Sequence, residues 1–546
     1  MATLDRLKIL VIESQPAMRA QLRTMLASIG LDNVQFAVSA SMGIRRLREA
    51  RYDLILCEYN LGEGQDGQHL LEDLRGRDII ARDTLFVMIT GERNYERVVS
   101  AAELVPNDYI LKPLTAETLR MRLQRALDKR EALQPAYRLI AQGDAPGAIA
   151  WCRTAQDRFP QYLIDFMRLQ AELHAGLGQA DEAEALYRQI LDAKSIPWAQ
   201  LGLARVLLLQ KRRAEAEKRL TDLIAEHERF IAAYDLLARI REEDGRAEEA
   251  RDTVRRAIER SPHRLARLRH LGELALDAGD AAEAEAVLDE VVRKGKHSEF
   301  RDPEDHVRLV QAQLAQGKAD SAAATIGDLE RSMGRQPKAA LCKALSEALL
   351  HTHTGDAERA QAALLAAAGA STEARDLSLG LKQELVKACF DHQLGDAGSE
   401  LVMDILRHAA DERTVESTRS VLRSRGLEAL SQEIEQRLQT EVRNLIAVGA
   451  DKARSGDYDG AVSEMMAAAR KMPGNPHVLF NAALALLRHI EHRGWNATLA
   501  GQARTLIGRV RALAPTYPRL PALAEFMRSL SERRNSPSAV PSPPDR

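Results

Sequence analysis

The sequence predicts an α/β domain with a doubly wound parallel five-stranded sheet, followed by an all-α array of helical repeats. Over the first 130 residues, short apolar runs alternate with amphipathic stretches, the pattern of strand–helix pairs around a parallel sheet. From about Pro135 onward strand-like runs disappear, and small residues recur at a period of about 34 residues, which is typical of stacked helix pairs.

Five strand–helix pairs follow one another in the first part of the chain. The predicted strands cover residues 8–12, 34–37, 54–57, 85–90 and 109–111. The predicted helices cover residues 16–29, 41–49, 69–75 and 95–104, and a last helix begins at Thr115. The third strand has no polar face, as expected of a strand covered by helices on both sides.

Polar side chains stand where these strands end. Glu13 and Ser14 follow the first strand, Glu58 follows the third, Thr90 closes the fourth, and Lys112 follows the fifth. The carboxyl ends of parallel strands meet at one edge of a sheet, so we expect these groups to lie close together. Carboxylates, a hydroxyl and an ammonium in one cluster have the outline of a phosphate and metal site.

Residues 6 to about 128 resemble the receiver domain of two-component response regulators. The family has an acidic pair, an acceptor Asp, a Thr or Ser and a Lys-Pro after successive strands, and this chain has LVIES, LCEYNL, MITGE and YILKP in that order. The resemblance implies that Asn60 offers its carbonyl to a metal ion, that Tyr109 is the aromatic switch residue, and that Asp108 and Arg122 flank it on a dimer face.

Two residues depart from the family pattern. Glu58 stands where the acceptor Asp is expected, and Ser14 replaces the second acid, so only Glu13 remains of the pair. The extra methylene of Glu moves the nucleophilic oxygen by roughly 1.5 Å, and errors of about 1 Å lower rates by on the order of 10²-fold. Glu13 and Glu58 would hold Mg²⁺ weakly at best, because Mg²⁺ demands near-ideal oxygen geometry.

Three interpretations of Glu58 remain open. Its carboxylate imitates the phosphorylated state by reaching toward Thr90 and Lys112, or it forms a pair with Lys112 that only stabilises the fold, or it retains some phosphorylation. A fourth alternative is a nucleotide site, because Gly62, Gly64 and Gly67 have dinucleotide-binding spacing. The receiver alignment explains Gly67 more simply, as part of the turn that opens the third helix.

The remainder of the chain resembles tetratricopeptide repeats. Two consecutive units show matching small and apolar positions: Leu237, Ala238, Gly245, Ala250, Val254 and Ala257, then Leu271, Gly272, Gly279, Ala284, Leu288 and Val291. We expect a receiver over residues 1–130, a superhelix of roughly eight or nine units over residues 131–533, and a disordered Ser- and Pro-rich tail over residues 534–546.

Composition excludes several classes of function. A net charge of −2 and 4% aromatic residues do not favour nucleic-acid binding. The four cysteines have no paired spacing, so they are expected to be reduced. We expect a cytoplasmic location without membrane insertion, because no leader and no window of 18 apolar residues stand out. No catalytic arrangement stands out either, so we expect no enzyme.

The resemblance implies a protein of two-component signal transduction, in which the receiver is coupled to a protein-binding scaffold that recruits or inhibits a kinase or another regulator. The expected partner is a sensor histidine kinase or a response regulator, with a homodimer through Asp108, Tyr109 and Arg122 as a further option. The alternative is a scaffold of an envelope or appendage assembly that uses the receiver for docking. Co-purifying proteins would separate these two hypotheses.

Overall fold

The computed structural model describes residues 7–62, 66–91, 106–262, 264–296, 298–371, 377–409, 411–514 and 517–535. The chain divides into two compact units, Met1–Gly317 and Lys318–Arg546. The predicted helix over residues 95–104, Gly64 and most of the predicted tail lie outside the described residues. All four cysteines are buried and free of disulfides.

A five-stranded parallel sheet forms the start of the first unit, as predicted. Its strands are β1 (Ile9–Ile12), β2 (Val34–Ala37), β3 (Leu54–Glu58), β4 (Leu85–Thr90) and β5 (Asp108–Leu111), in the order β2-β1-β3-β4-β5. Ile12 pairs with Cys57, and Cys57 with Met88, so the carboxyl ends of the central strands are level. This register brings the residues that follow the strands to one edge of the sheet.

Helices cover both faces of the sheet. They are α1 (Pro16–Ser28), α2 (Ala40–Glu49), α3 (Gly67–Gly76) and α4 (Ala116–Ala141). Ser39, Asp66 and Thr115 each stand before a helix and accept a hydrogen bond from a backbone N–H of its first turn. Leucines of α1 and α4 pack in one apolar cluster, whereas those of α2 and α3 pack in a second cluster with the alternate strand residues.

Helix α4 does not end with the sheet. It continues to Ala141 with Pro135 inside it, and its Leu133 and Ala136 pack in the first cluster of the helical array. The further helices of the first unit are α5 (Ala145–Arg158), α6 (Leu163–Gly176), α7 (Ala180–Ala193), α8 (Pro197–Leu209), α9 (Arg213–Glu226), α10 (Ile231–Glu243), α11 (Ala247–Arg260), α12 (Leu265–Asp277), α13 (Ala281–Gly295) and α14 (Glu304–Ala315).

The second unit is helical throughout its described residues. Its helices are α15 (Ala319–Met333), α16 (Pro337–Thr354), α17 (Ala357–Ser371), α18 (Leu379–Asp391), α19 (Gly395–His408), α20 (Glu412–Arg423), α21 (Glu428–Arg454), α22 (Tyr458–Lys471), α23 (Pro476–Arg493), α24 (Ala497–Leu513) and α25 (Leu520–Asn535).

The repeat is visible in the backbone of the loops inside the helix pairs. Gly178, Gly245 and Gly279 all have φ of 76°, a left-handed conformation that favours glycine. Lys211 takes the equivalent place between them with φ of 63°. These positions are about 34 residues apart, as expected of tetratricopeptide repeats.

Candidate functional site

Lys112 lies between two carboxylates at the carboxyl edge of the sheet. Its Nζ is 3.1 Å from Glu13 Oε2, and it also donates to Glu58 Oε2. Glu13 is 1% exposed and Glu58 is 7% exposed. The predicted pair of Glu58 and Lys112 is therefore present, but Lys112 bridges both acids of the site.

The second oxygen of each carboxylate is also hydrogen-bonded. Glu13 Oε1 accepts from the Gln15 N–H at 2.8 Å, and Glu58 Oε1 accepts from the Asn60 N–H at 3.1 Å. All four carboxylate oxygens of the pair thus have a donor within the chain. These donors fix the orientation of both carboxylates, so the site is preorganised.

Burial and close charges shift the pKa values of Glu58 and Lys112. Burial raises the pKa of Glu58, and the hydrogen bond and charge of Lys112 only partly offset it. Burial acts to lower the pKa of Lys112, but the hydrogen bonds and charges of Glu58 and Glu13 outweigh it and raise that pKa. Lys112 thus stays charged, and Glu58 takes up a proton more readily than a solvated Glu.

The residues fit Mg²⁺ poorly. Ser14 brings no carboxylate to the edge, and Arg19 donates to the carbonyl oxygens of Glu13 and Ser14 at 2.9 and 2.6 Å. Lys112 holds one oxygen of each remaining acid, so it competes with a cation for the same ligands. In the part of the chain that the structure describes, no group of three or more His, Cys, Asp or Glu residues is placed to hold a metal ion.

The other predicted pocket residues surround this centre. Thr90 is buried, and its carbonyl accepts from the Lys112 N–H at 2.8 Å. Asn60 is exposed, and its Oδ1 accepts from the Gly62 N–H at 3.1 Å. A hydrogen bond from the Thr90 hydroxyl to Glu58 stays a prediction.

Gly67 is required by packing at the end of β3. A Cβ at this position would lie 2.6 Å from the Glu58 carbonyl oxygen. The Gly67 N–H donates to the Tyr59 carbonyl at 2.7 Å, and Asp66 caps the helix that follows. This contact accounts for Gly67 as part of the turn that opens α3.

Tyr109 points into the domain. It is 4% exposed, and its hydroxyl donates to Gln68 Oε1 at 3.2 Å. Tyr109 therefore contributes to the core and not to the exposed surface. Its predicted companions Asp108 and Arg122 do reach the surface, where Arg122 Nη1 lies 3.0 Å from Asp108 Oδ1 of the same chain.

Sequence reasoning missed three donors and acceptors of this site. The Gln15 N–H, the Lys112 contact to Glu13 and the Gln68 side chain all became apparent only in the structure. A glutamine at the start of a helix and a backbone N–H carry no distinctive pattern. The one available signal was that Glu13 and Lys112 both follow strands of the same parallel sheet.

Comparison with known proteins agrees with both halves of the prediction. Residues 9–124 match the model of the response regulator receiver domain, and residues 242–302 match that of a tetratricopeptide repeat. The chain is 28% identical over 123 residues to chemotaxis protein CheY-3 of Vibrio cholerae serotype O1, covering 22% of this chain and 93% of that protein. It is 24% identical over 123 residues to chemotaxis protein CheY of Pseudomonas aeruginosa, covering 22% of this chain and 98% of that protein.

Two solved structures are similar to part of this chain. They are the C-terminal part of a TPR repeat-containing protein from Cytophaga hutchinsonii (TM-score 0.36, 12% identity, 44% of this chain and 95% of that one) and a tetratricopeptide repeat protein from Parabacteroides merdae (TM-score 0.32, 15% identity, 48% of this chain and 98% of that one).

The chain thus contains a response regulator receiver domain followed by tetratricopeptide repeats. These are domains of a signalling protein that carries a scaffold for protein interactions, and both kinds are typically non-catalytic. Of the helices described, none combines the length and the apolar composition that crossing a membrane requires.

Proposed function

We propose that this protein acts in two-component signal transduction with a receiver that works without phosphorylation. The observation that carries the proposal is the bridge of Lys112 to both Glu13 and Glu58. In this proposal, Glu58 supplies a fixed negative charge at the position of the phosphoryl acceptor. The balance between receiver arrangements is then set by Glu58 instead of by a phosphoryl group.

The geometry of Glu58 supports this proposal. A phosphoryl acceptor needs an accessible carboxylate oxygen in line with the donor, and it needs Mg²⁺ to neutralise the transferred group. Both oxygens of Glu58 already accept hydrogen bonds, from Lys112 and from the Asn60 N–H. The buried Tyr109 is the inward position that we expect of an active-like receiver.

The repeats serve in this proposal as the binding part of the protein. They recruit or inhibit a sensor histidine kinase or another response regulator in the cytoplasm. Stacked helix pairs present an extended surface that suits peptides, helices and whole domains. The receiver determines the signalling pathway to which this binding belongs.

The test is incubation of the full chain with acetyl phosphate and Mg²⁺, followed by intact mass spectrometry. We expect no added phosphoryl group on the wild type. The double variant Glu58→Asp with Ser14→Asp restores both acid types and is the positive control for the assay. A stable phosphoryl adduct on Glu58 of the wild type would contradict the proposal.

A further inference from the structure

Helix α3 of the receiver is covered on the side that should face water. A helix at the surface of an α/β domain turns apolar residues to the sheet and polar residues to solvent. Leu70, Leu71 and Leu74 of α3 pack in the cluster beneath the sheet, as expected. Gln68 and His69 are nevertheless buried as well, at 7% and 8% exposure. Gln68 contacts Tyr109 inside the receiver, so it is His69 that contacts a residue outside that domain.

The cover comes from the repeats. His69 Nε2 lies 2.8 Å from Ser261 Oγ, at the end of α11. Glu72 Oε2 lies 3.2 Å from Arg264 Nη1 and 3.7 Å from Arg267 Nη2, before and within α12. The Arg267 side chain is only 6% exposed. A carboxylate of the receiver therefore fills a site that two arginines of the repeats form.

An aromatic anchor lies beside these polar contacts. Phe300, in the loop between α13 and α14, is 5% exposed and joins the apolar cluster of α2 and α3. The guanidinium of Arg77 lies over its ring at 4.5 Å. The adjacent Glu299 pairs with Arg45 at 3.0 Å and with Arg48 at 3.6 Å. A buried aromatic ring surrounded by charge pairs is the usual anatomy of a binding hot spot.

The repeats hold this anchor in place themselves. Arg269 Nη2 donates to the Phe300 carbonyl at 2.8 Å, and the same guanidinium pairs with Asp305 at 2.6 and 2.8 Å. The Phe300 N–H donates to Ser298 Oγ at 3.1 Å. The loop is thus preorganised by groups that do not belong to the receiver.

A chain of polar contacts joins this surface to the receiver switch residue. The Tyr109 hydroxyl donates to Gln68 Oε1 at 3.2 Å, and Gln68 Nε2 donates to Glu72 Oε1 at 3.4 Å. The other oxygen of Glu72 meets Arg264. Gln68 and Glu72 are one helical turn apart, so one face of α3 carries the whole sequence of contacts.

We propose that Ser261, Arg264, Arg267 and Phe300 form a receiver-binding surface of the repeats, that the chain's own α3 occupies it, and that Tyr109 controls the occupancy through Gln68 and Glu72. In the observed arrangement Tyr109 is inward and the surface is closed. When Tyr109 turns outward, Gln68 no longer accepts the hydrogen bond of the Tyr109 hydroxyl. Glu72 then loses its fixed orientation, and α3 separates from Arg264 and Arg267. The uncovered surface then accepts a second helix with a carboxylate at the equivalent position, as on the receiver of a partner protein.

Hydrogen exchange of the full chain tests the contact. Glu72→Arg and Arg264→Glu should each raise amide exchange in α3 and in residues 298–302 by about tenfold or more, because those amides lose their cover. Combining the two substitutions returns one opposite-charge pair to positions 72 and 264, so exchange should be slower in the double variant than in either single variant. Glu117→Arg reverses an equally acidic side chain on α4, away from the repeats, and should leave both segments unchanged.

Two outcomes of the exchange experiment would contradict the proposed surface. Wild-type exchange in both single variants would show that the pair does not hold the receiver. Exchange in the double variant as fast as in the single variants would show that the substitutions only damage α3. Either result would overturn the receiver-binding surface.

The role of Tyr109 is tested by removing one hydroxyl. Tyr109→Phe keeps the ring and deletes the donor to Gln68, so exchange in residues 298–302 should rise severalfold. Tyr52→Phe is the matched control, because Tyr52 is equally buried and its hydroxyl donates to the side-chain oxygen of Gln35 at 2.6 Å. Equal exchange of the 298–302 loop in Tyr109→Phe and the wild type would refute the control by Tyr109.

Discussion

At the scale of single residues, Lys112 decides the charge balance of the receiver pocket. It is the one cation that contacts both Glu13 and Glu58 among the described residues. Removing one partner of a buried ion pair leaves the other charge without compensation, which destabilises more than the pair itself contributes. Here the removal would leave two carboxylates facing each other.

We therefore expect Lys112→Ala to lower the free energy of unfolding by about 3 kcal/mol at neutral pH. The loss should shrink as the pH falls toward the raised pKa of Glu58, where a bound proton removes one of the two uncompensated charges. The pKa of Glu58 is already raised in the folded state, so a proton bound there favours folding at low pH, and this contribution disappears as the pH rises. Denaturant unfolding at several pH values measures both effects.

The control for this prediction is Glu58→Gln. The Gln amide has one acceptor oxygen, so it can keep the hydrogen bond from Lys112 or the one from the Asn60 N–H, but not both. Because Lys112 still pairs with Glu13, this variant should lose less stability at neutral pH than Lys112→Ala. Adding it to Lys112→Ala should recover part of the lost stability, because only one acid then remains uncompensated. A pH-independent loss in Lys112→Ala would contradict this electrostatic account.

Much of this pocket was predictable because strand ends obey a simple rule. Apolar runs located the strands, and the parallel order placed Glu58, Thr90 and Lys112 at one edge. Neither the bridge to Glu13 nor the Gln68 contact was predictable, since both depend on side-chain conformation. The docking of α3 on Arg264 was equally hidden, because its partner lies some 190 positions away in the sequence and no local pattern joins them.

At the scale of elements, close helix crossings define the repeats. Glycine at a crossing lets the next side chain fill the space that a Cβ would take. At Gly202 in α8, an added Cβ would lie 2.4 Å from ring atoms of Tyr187 in α7. The ring of Tyr187 is buried in the core of the repeats, so it has little room to move.

Gly202→Ala should therefore destabilise the first unit by about 1–3 kcal/mol, because the ring must shift in a packed core. Gly176→Ala is the matched control at the end of α6, where nothing lies within 4 Å of an added Cβ. That control should be neutral or stabilising by up to about 1 kcal/mol, as alanine favours helix. Chemical denaturation with both variants measures the difference, and equal stabilities would argue against a tight crossing.

At the scale of the whole molecule, the receiver has two faces with different roles. The face formed by α2 and α3 is occupied by the repeats of the same chain. The face that bears Asp108 and Arg122 carries an ion pair at the surface, and such pairs contribute only about 0–1 kcal/mol to stability. This pair therefore adds little to folding, and a role in recognition is a prediction.

We expect Arg122→Glu to weaken self-association while leaving the fold intact, because it places like charges side by side on this face. Sedimentation velocity over a concentration series measures the effect. Arg120→Glu is the control, since Arg120 pairs with Glu117 on another side of α4 at 2.8 Å. A wild type and an Arg122→Glu variant with the same sedimentation behaviour would show that this face is not a dimer interface.

Helix α4 is continuous from Ala116 to Ala141, so it fixes the rotation of the first repeats relative to the sheet. Each residue of a helix advances the chain by about 1.5 Å and turns it by about 100°. Inserting one residue in α4 would rotate the repeats about the helix axis and move Ser261 and Phe300 away from α3. An insertion of about seven residues, close to two full turns, would restore nearly the same angle but would move them by about 10 Å along the axis. The length of this helix is therefore under as strict a requirement as the identity of the residues that meet across the junction.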